Sequence, residues 1–226
     1  MTMYRIEEIL RDYARRSGAK CVPGFAGVGF SFGELDDRSE RLAGVLQANE
    51  IGREDRIAIL MNNSPQAIIA IMAALKAGAT FCLIDPPTNA QRLAFVINDC
   101  AAACLFIDAG MATVTAEAMP ETPFLRLVVV AGAEGSPAID GLLRFEDAVA
   151  SERQPLIDRN TYLDEAMVFY PPQTGGRVSS RAVTHVEIID AACPGARPIA
   201  GGLFPVLLAA VTAMRSGPRT LPGVAA

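Results

Sequence analysis

The 226-residue chain has a single histidine, His185. Imidazole-rich metal centres and nucleophile systems with a histidine base need more partners than that, so both classes are excluded. The sequence also lacks an uncharged apolar run of about eighteen residues, which excludes a spanning helix. The nearest approach, IAGGLFPVLLAAVTAM from Ile199 to Met214, is short and interrupted by two glycines and a proline, and so reads as a buried helix. Positive charge is not in excess: 20 Lys and Arg against 25 Asp and Glu give a net charge of -5. A nucleic-acid footprint is therefore not expected. The opening MTMYRIEEILRDYARR spreads its charges and has no apolar core followed by a cleavage site, so it does not read as a secretory signal, and the cytoplasm is the expected location. The five cysteines, Cys21, Cys82, Cys100, Cys104 and Cys193, are odd in number and lie mostly within apolar runs, which suits reduced thiols rather than a disulfide framework. No internal repeat or low-complexity tract emerges.

What is present is a chain 51% hydrophobic, long enough for a large core, in which helical and strand-like patterns alternate. That alternation predicts an α/β fold with a mostly parallel sheet flanked by helices. Ile6 to Arg16 places Ile6, Ile9, Leu10, Tyr13 and Ala14 on one helical face. Ser31 and Glu34 form a Ser-x-x-Glu capping box ahead of a helix through Leu35, Leu42, Val45 and Leu46. RIAILM, Arg56 to Met61, is a buried-strand pattern. NNSPQ then offers Ser64 as cap and Pro65 at the first helical position, and AIIAIMAALKAG ends at Gly78. TFCLID, ACLFID and LRLVVV read as further strands, with a helix from Ala90 to about Asp99. The charges Asp36, Asp37, Arg38, Glu40 and Arg41 read as a solvated helix face with pairs three or four apart. Asp85, at a strand end before two prolines, reads as a turn.

Three blocks in this order carry a resemblance: FSFGELDDRSERLAGVL (Phe30 to Leu46), DRIAILMNNSPQAIIAIMAALKAGATFCLIDP (Asp55 to Pro86) and QRLAFVINDCAAACLFID (Gln91 to Asp108). Together they resemble the N-terminal half of the adenylate-forming enzymes: acyl-CoA synthetases, luciferases and nonribosomal-peptide adenylation domains. In the same register YPPQTGGRVSSRAVTH, Tyr170 to His185, is similar to the family's phosphate loop, YTSGTTGxPKGVxxTH, and joins a strand to a helix start. Tyr170, Thr174, Gly176, Thr184 and His185 match. Pro171 and Pro172 replace Thr-Ser, Gln173 the first Gly, Gly175 a Thr, Val178 the Pro, Ser179 the Lys and Ser180 the next Gly.

Such a loop turns backbone N–H groups, hydroxyls and a lysine toward phosphate. Each proline removes a donor, and losing the lysine removes a charge-assisted contact worth about 1.5–3 kcal/mol. Arg177 and Arg181 are the available replacement charges, and a guanidinium is longer and forked, so neither is expected to substitute. Thr174, Gly175, Gly176, Arg177 and Ser179 are what remains of a phosphate contact set, read either as a plain turn or as a cradle for a small anion. His185 is read as a cap-adjacent residue making ordinary hydrogen bonds. The family comparison also implies that the groups gripping adenine, ribose, magnesium and the mobile lysine lie beyond this chain.

The expectation is thus a truncated, degenerate adenylation-like protein with no catalytic residues, no metal and no cofactor, acting as a binding or assembly partner. The alternative is one half of a split ligase, completed in trans, which alone would take ATP and magnesium. Residues 51–185 are expected to form the main lobe, and 1–50 with 186–226 a partial second lobe. Partners are expected to be a second copy or another protein, such as a carrier protein or second half-ligase, meeting Ile199 to Met214.

Overall fold

Residues Arg56–Leu60 form strand β1, and its side chains alternate between two apolar layers: Ile57 and Ile59 enter one, Ala58 and Leu60 the other. A strand covered on both faces reads as an unbroken hydrophobic run and belongs in a parallel sheet. In the computed structural model, which describes residues 4–86, 88–132, 142–158, 160–170, 180–192 and 204–216, β1 lies inside a seven-stranded sheet. On one side it is extended by β2 (Thr80–Leu83), β6 (Glu165–Phe169) and β7 (Arg181–Thr184), and on the other by β3 (Ala102–Asp108), β4 (Leu127–Ala131) and β5 (Leu142–Arg144). All neighbours pair parallel except β6 and β7, which are antiparallel. The expected mostly parallel α/β architecture is what the chain adopts.

Eight helices among the described residues cover the two faces. Helices α4 (Ala90–Asp99) and α5 (Ala112–Ala118) pack on Ala58 and Leu60. The Ile57 and Ile59 face takes α1 (Ile6–Ser17), α2 (Phe32–Ala48), α3 (Pro65–Ala77), α6 (Phe145–Ala150), α7 (His185–Ala191) and α8 (Phe204–Ser216). Residues from both 1–50 and 186–216, including Leu10, Leu42, Leu207 and Val211, share that layer with Ile57 and Ile59. The helix boundaries follow local chemistry. Ser31 and Glu34 form the reciprocal capping box at α2, and Ser64 Oγ accepts from the Ala67 N–H at 3.2 Å with Pro65 behind it. Gly78 ends α3 in the left-handed region at φ +93°, where an added Cβ would also meet Asn160 Oδ1 at 2.8 Å.

Helix α3 is buried all round, from Ala67 to Ala77, because it lies between α2 and the sheet. Lys76 is therefore trapped with its side chain 0% exposed. Its ammonium donates to the Asp36 carboxylate and to the Asp36 carbonyl, both at 2.6 Å, with Glu40 at 3.8 Å. Burial pushes the Lys76 pKa down, and the Asp36 carboxylate draws it back. This corrects the solvated-face expectation for α2. Asp36 and Glu40, four apart, turn inward to a buried cation, whereas Asp37 bonds Arg41 and Arg153 near solvent.

Helix α8 sends Leu207, Ala210, Val211 and Met214 into the chain's own core and leaves Pro205 and Ala209 exposed. Within Ile199 to Met214, residues 199–203 lie outside the described residues. Of the cysteines, Cys82, Cys100 and Cys104 are buried and unpaired and Cys21 is exposed; Cys193 lies outside the described residues.

Removing one member of a buried ion pair leaves the other uncompensated at a cost of about 3–5 kcal/mol. Asp36 keeps some contact with water, its side chain being 14% exposed, so Lys76→Ala should cost near the lower end, about 3 kcal/mol. Urea unfolding should show a lowered midpoint with an unchanged slope.

Candidate functional site

The carboxyl ends of the parallel strands form the edge where α/β sheets hold ligands, at points where neighbouring connections part. Here β1 leads to α3 on one face, while β2 and β3 lead to α4 and α5 on the other. Between β1 and β3 the gap is bridged by protein: Asn62 donates its backbone N–H and its Nδ2–H to Asp108 Oδ2, at 2.7 and 2.8 Å. On the other side of β1 lies β2, followed by exposed Asp85, and beyond β2 lies β6, which ends at Phe169 beside Tyr170.

The Tyr170 hydroxyl donates to Asp99 Oδ2 at 2.6 Å, at the end of α4. Burial, and then that hydrogen bond, hold the Tyr170 phenol well above the usual range. Tyr170 is thus committed to the α4 face. Thr174, Gly175, Gly176, Arg177 and Ser179 fall on 171–179, outside the described residues.

Both ends of the 171–179 segment are held. Phe169 pairs with Arg181 and Val168 with Ala182 in the antiparallel β6–β7 ladder. This corrects the expected strand-to-helix connection: the segment joins two strands, and Arg181–Thr184 is a strand interposed before the helix. The helix does begin at His185. Thr184 caps it, its Oγ accepting from the Glu187 N–H at 3.3 Å while Glu187 Oε2 accepts from the Thr184 N–H at 2.8 Å. The other Glu187 oxygen accepts from the Arg181 guanidinium at 2.9 Å. The Thr184 N–H, foremost, and Arg181 hold the Glu187 carboxyl below the usual carboxylate range. Arg181 therefore has an anionic partner away from the loop, although at 62% exposure the pair contributes less than about 1 kcal/mol.

His185 is 2% exposed, and its Nδ1 accepts from the Ile6 N–H at 3.4 Å. Beside it stand Glu7, also 2% exposed, and Arg5, which bonds Asp158 and Glu8. None of these acidic and basic partners was foreseen. The available signal was Glu7 itself, next to Ile6 and three residues before Leu10, on the helix face whose other members are core residues.

Among the described residues, no group of three or more His, Cys, Asp or Glu side chains could hold a metal ion, and no helix is long and apolar enough to cross a membrane. A groove of about 280 Å³ lined by Gln47, Ile51, Arg53, Asp55, Ile157 and Asn160 lies beside the residues that lead into β1, at the sheet edge away from Tyr170.

The family described as AMP-binding enzyme matches residues 10–170. Surfactin synthase subunit 3 of Bacillus subtilis (strain 168) is 30% identical over 164 residues, a match covering 73% of this chain and 12% of that protein. Tyrocidine synthase 3 of Brevibacillus parabrevis is 26% identical over 166 residues, covering 74% and 2%. The chain thus spans a small fraction of these relatives. Among solved structures, coronafacic acid ligase from Pectobacterium brasiliense superposes with a TM-score of 0.76 at 16% identity, covering 94% of this chain and 44% of that one. An anthranilate CoA ligase in complex with anthranoyl-AMP gives 0.75 at 16% identity, covering 85% and 37%. At these identities the likeness is one of fold.

Because Asp108 holds the β1 and β3 ends together through two donors of Asn62, Asp108→Ala should cost about 1 kcal/mol. Thermal unfolding of the variant beside the parent chain measures it.

Proposed function

Because this chain belongs to the AMP-binding enzyme family, we propose that it is a cytoplasmic adenylation-like protein that does not itself activate a carboxylate and acts as a binding or assembly partner. The observation that carries this reading is the loop YPPQTGGRVSSRAVTH, with Ser179 where the family pattern has lysine and prolines at 171 and 172. Of the two nearby arginines, Arg181 is already paired with Glu187. A tightly held triphosphate does not fit this donor set: two backbone donors and one ammonium are missing from a site whose attraction for anions depends on them. Any residual hold on an anion would rest on Thr174, Gly175, Gly176, Arg177 and Ser179.

A thiotemplated pathway, nonribosomal-peptide or acyl-CoA, is the setting we favour, because the relatives include surfactin and tyrocidine synthases and the structural neighbours include a CoA ligase. A second copy, a carrier protein or a second half-ligase meeting α8 would use the side carrying Pro205 and Ala209, since the opposite stripe is taken by the core. The second reading, half of a ligase completed by another polypeptide that brings ATP and magnesium with it, is favoured by the intact scaffold around the loop. It is opposed by the missing lysine, which a completed enzyme would still use.

Titration calorimetry with Mg-ATP tests the first reading: no binding is expected in the micromolar range, about −8 kcal/mol. Placing Ser179→Lys and Gln173→Gly together should strengthen any residual affinity roughly ten- to a hundred-fold, the equivalent of one charge-assisted contact. Micromolar binding by the parent chain overturns the proposal. ATP–pyrophosphate exchange that appears on adding a second polypeptide establishes the split ligase instead.

A further inference from the structure

Glu7 and His185 come from distant parts of the chain, the first turn of α1 and the first position of α7, and meet in the interior. Neither Glu7 oxygen has a hydrogen-bond partner of ordinary geometry. Oε1 lies 3.4 Å from Arg5 Nε, and Oε2 lies 3.5 Å from His185 Nδ1. Arg5 is poorly placed to neutralise Glu7, because its terminal nitrogens are engaged by both oxygens of Asp158 and by Glu8.

On the other side, His185 Nδ1 accepts from the Ile6 N–H. A ring nitrogen that accepts carries no proton, so the imidazole is neutral with its proton on Nε2. The Ile6 contact is long, at 3.4 Å, so the single Nδ1 lone pair can be shared with a second donor, and Glu7 Oε2 stands at 3.5 Å. A Glu7 carboxylate here would press the lone pairs of Oε2 against that of Nδ1, out of water, with only the 3.4 Å contact from Arg5 Nε to Oε1 and its own backbone N–H to offset the charge; a carboxylic acid would supply the missing hydrogen on the His185 side.

We propose that Glu7 is protonated and donates to His185 Nδ1, forming a one-proton latch that holds α1 on the start of α7 and so on β7, the strand that follows the 171–179 segment. The charged groups facing the pair are Arg5 and Glu8 from the α1 end and Asp158 and Asp164 from the segment before β6. Helix α8, which packs on both α1 and α7, buries Leu207, Ala210, Val211 and Met214. Burial pushes Glu7 up to about 7, its own backbone N–H and Arg5 pulling the other way. Burial, helped by Arg5 and opposed by Asp164 and Glu8, pushes His185 down to about 4.

The two shifts have opposite linkage. Glu7 is raised from 4.5, so the folded chain holds the extra proton and this group's contribution falls as pH rises from 4.5 to about 7. His185 is lowered from 6.5, so the unfolded chain holds the extra proton and its contribution falls as pH drops from 6.5 to about 4. In the parent chain the two slopes nearly cancel between 4.5 and 6.5, and removing either partner exposes the other.

Because the chain has one histidine, ¹⁵N NMR of labelled parent protein reads the ring directly. At pH 6 a neutral ring with the proton on Nε2 is expected, unchanged as pH crosses 6.5; an imidazolium ring, or a proton on Nδ1, overturns the proposal. Unfolding midpoints supply the second measurement. Relative to the parent chain, Glu7→Gln should lose stability on acidification below pH 6.5 and His185→Gln on alkalinisation above pH 4.5. Difference curves that are flat, or that slope the same way, also overturn it.

Discussion

Ile57 and Ile59 enter one apolar layer and Ala58 and Leu60 the other, so a strand of five residues has to be covered from both sides at once. Most of the architecture follows from that constraint. Parallel neighbours require crossovers, and the crossovers supply the covering helices: α3 on one face, α4 and α5 on the other. The face bearing Ile57 and Ile59 is wide enough to need a second row, so α2 lies over α3, and α3 becomes apolar on every side. A lysine near the end of such a helix has to bring its counter-charge with it, and Asp36 is that counter-charge.

The same sheet holds the edge where the family resemblance places its chemistry. Asn62 and Asp108 tie β1 to β3, Tyr170 is turned toward Asp99, and the β6–β7 ladder fixes the two ends of the 171–179 segment. None of these interactions involves the residues by which the loop differs from the family pattern. Among the described residues, these interactions therefore place no requirement on the residue at position 179. Arg181 illustrates the separation: its backbone serves the ladder and its guanidinium meets the carboxylate that caps α7.

Local chemistry made much of this legible from sequence. Ser31 with Glu34, Ser64 with Pro65, and Gly78 each define a helix end by hydrogen bonding or backbone conformation, and the long apolar strands carry their own signal. What stayed hidden depends on distant partners. Strand β5 has three residues and no periodicity to read, and β7 exists only because β6 offers an edge. Asp36 and Glu40 look solvated until α3 presents Lys76. That α8 is buried was legible, but nothing local decides whether its apolar stripe meets a partner or, as it does, the chain's own core. Glu7 is the subtlest case, a charged residue type on a buried face whose meaning depends on His185, far along the chain. Of the candidate site, the loop and its departures from the family pattern are read from sequence alone, while the ladder beside it and the engagement of Arg181 needed the fold.

The central claim is that the scaffold around the loop stands independently of any grip on nucleotide. Amide hydrogen exchange across residues 165–170 and 180–192, followed with and without millimolar Mg-ATP, tests it most directly. If scaffold and grip are separate, protection in β6, β7 and α7 is already high in the free chain and does not change on adding the nucleotide. Exchange that slows several-fold across these residues with Mg-ATP would contradict the claim, because it would mean that the loop still binds the nucleotide and passes the effect to its frame.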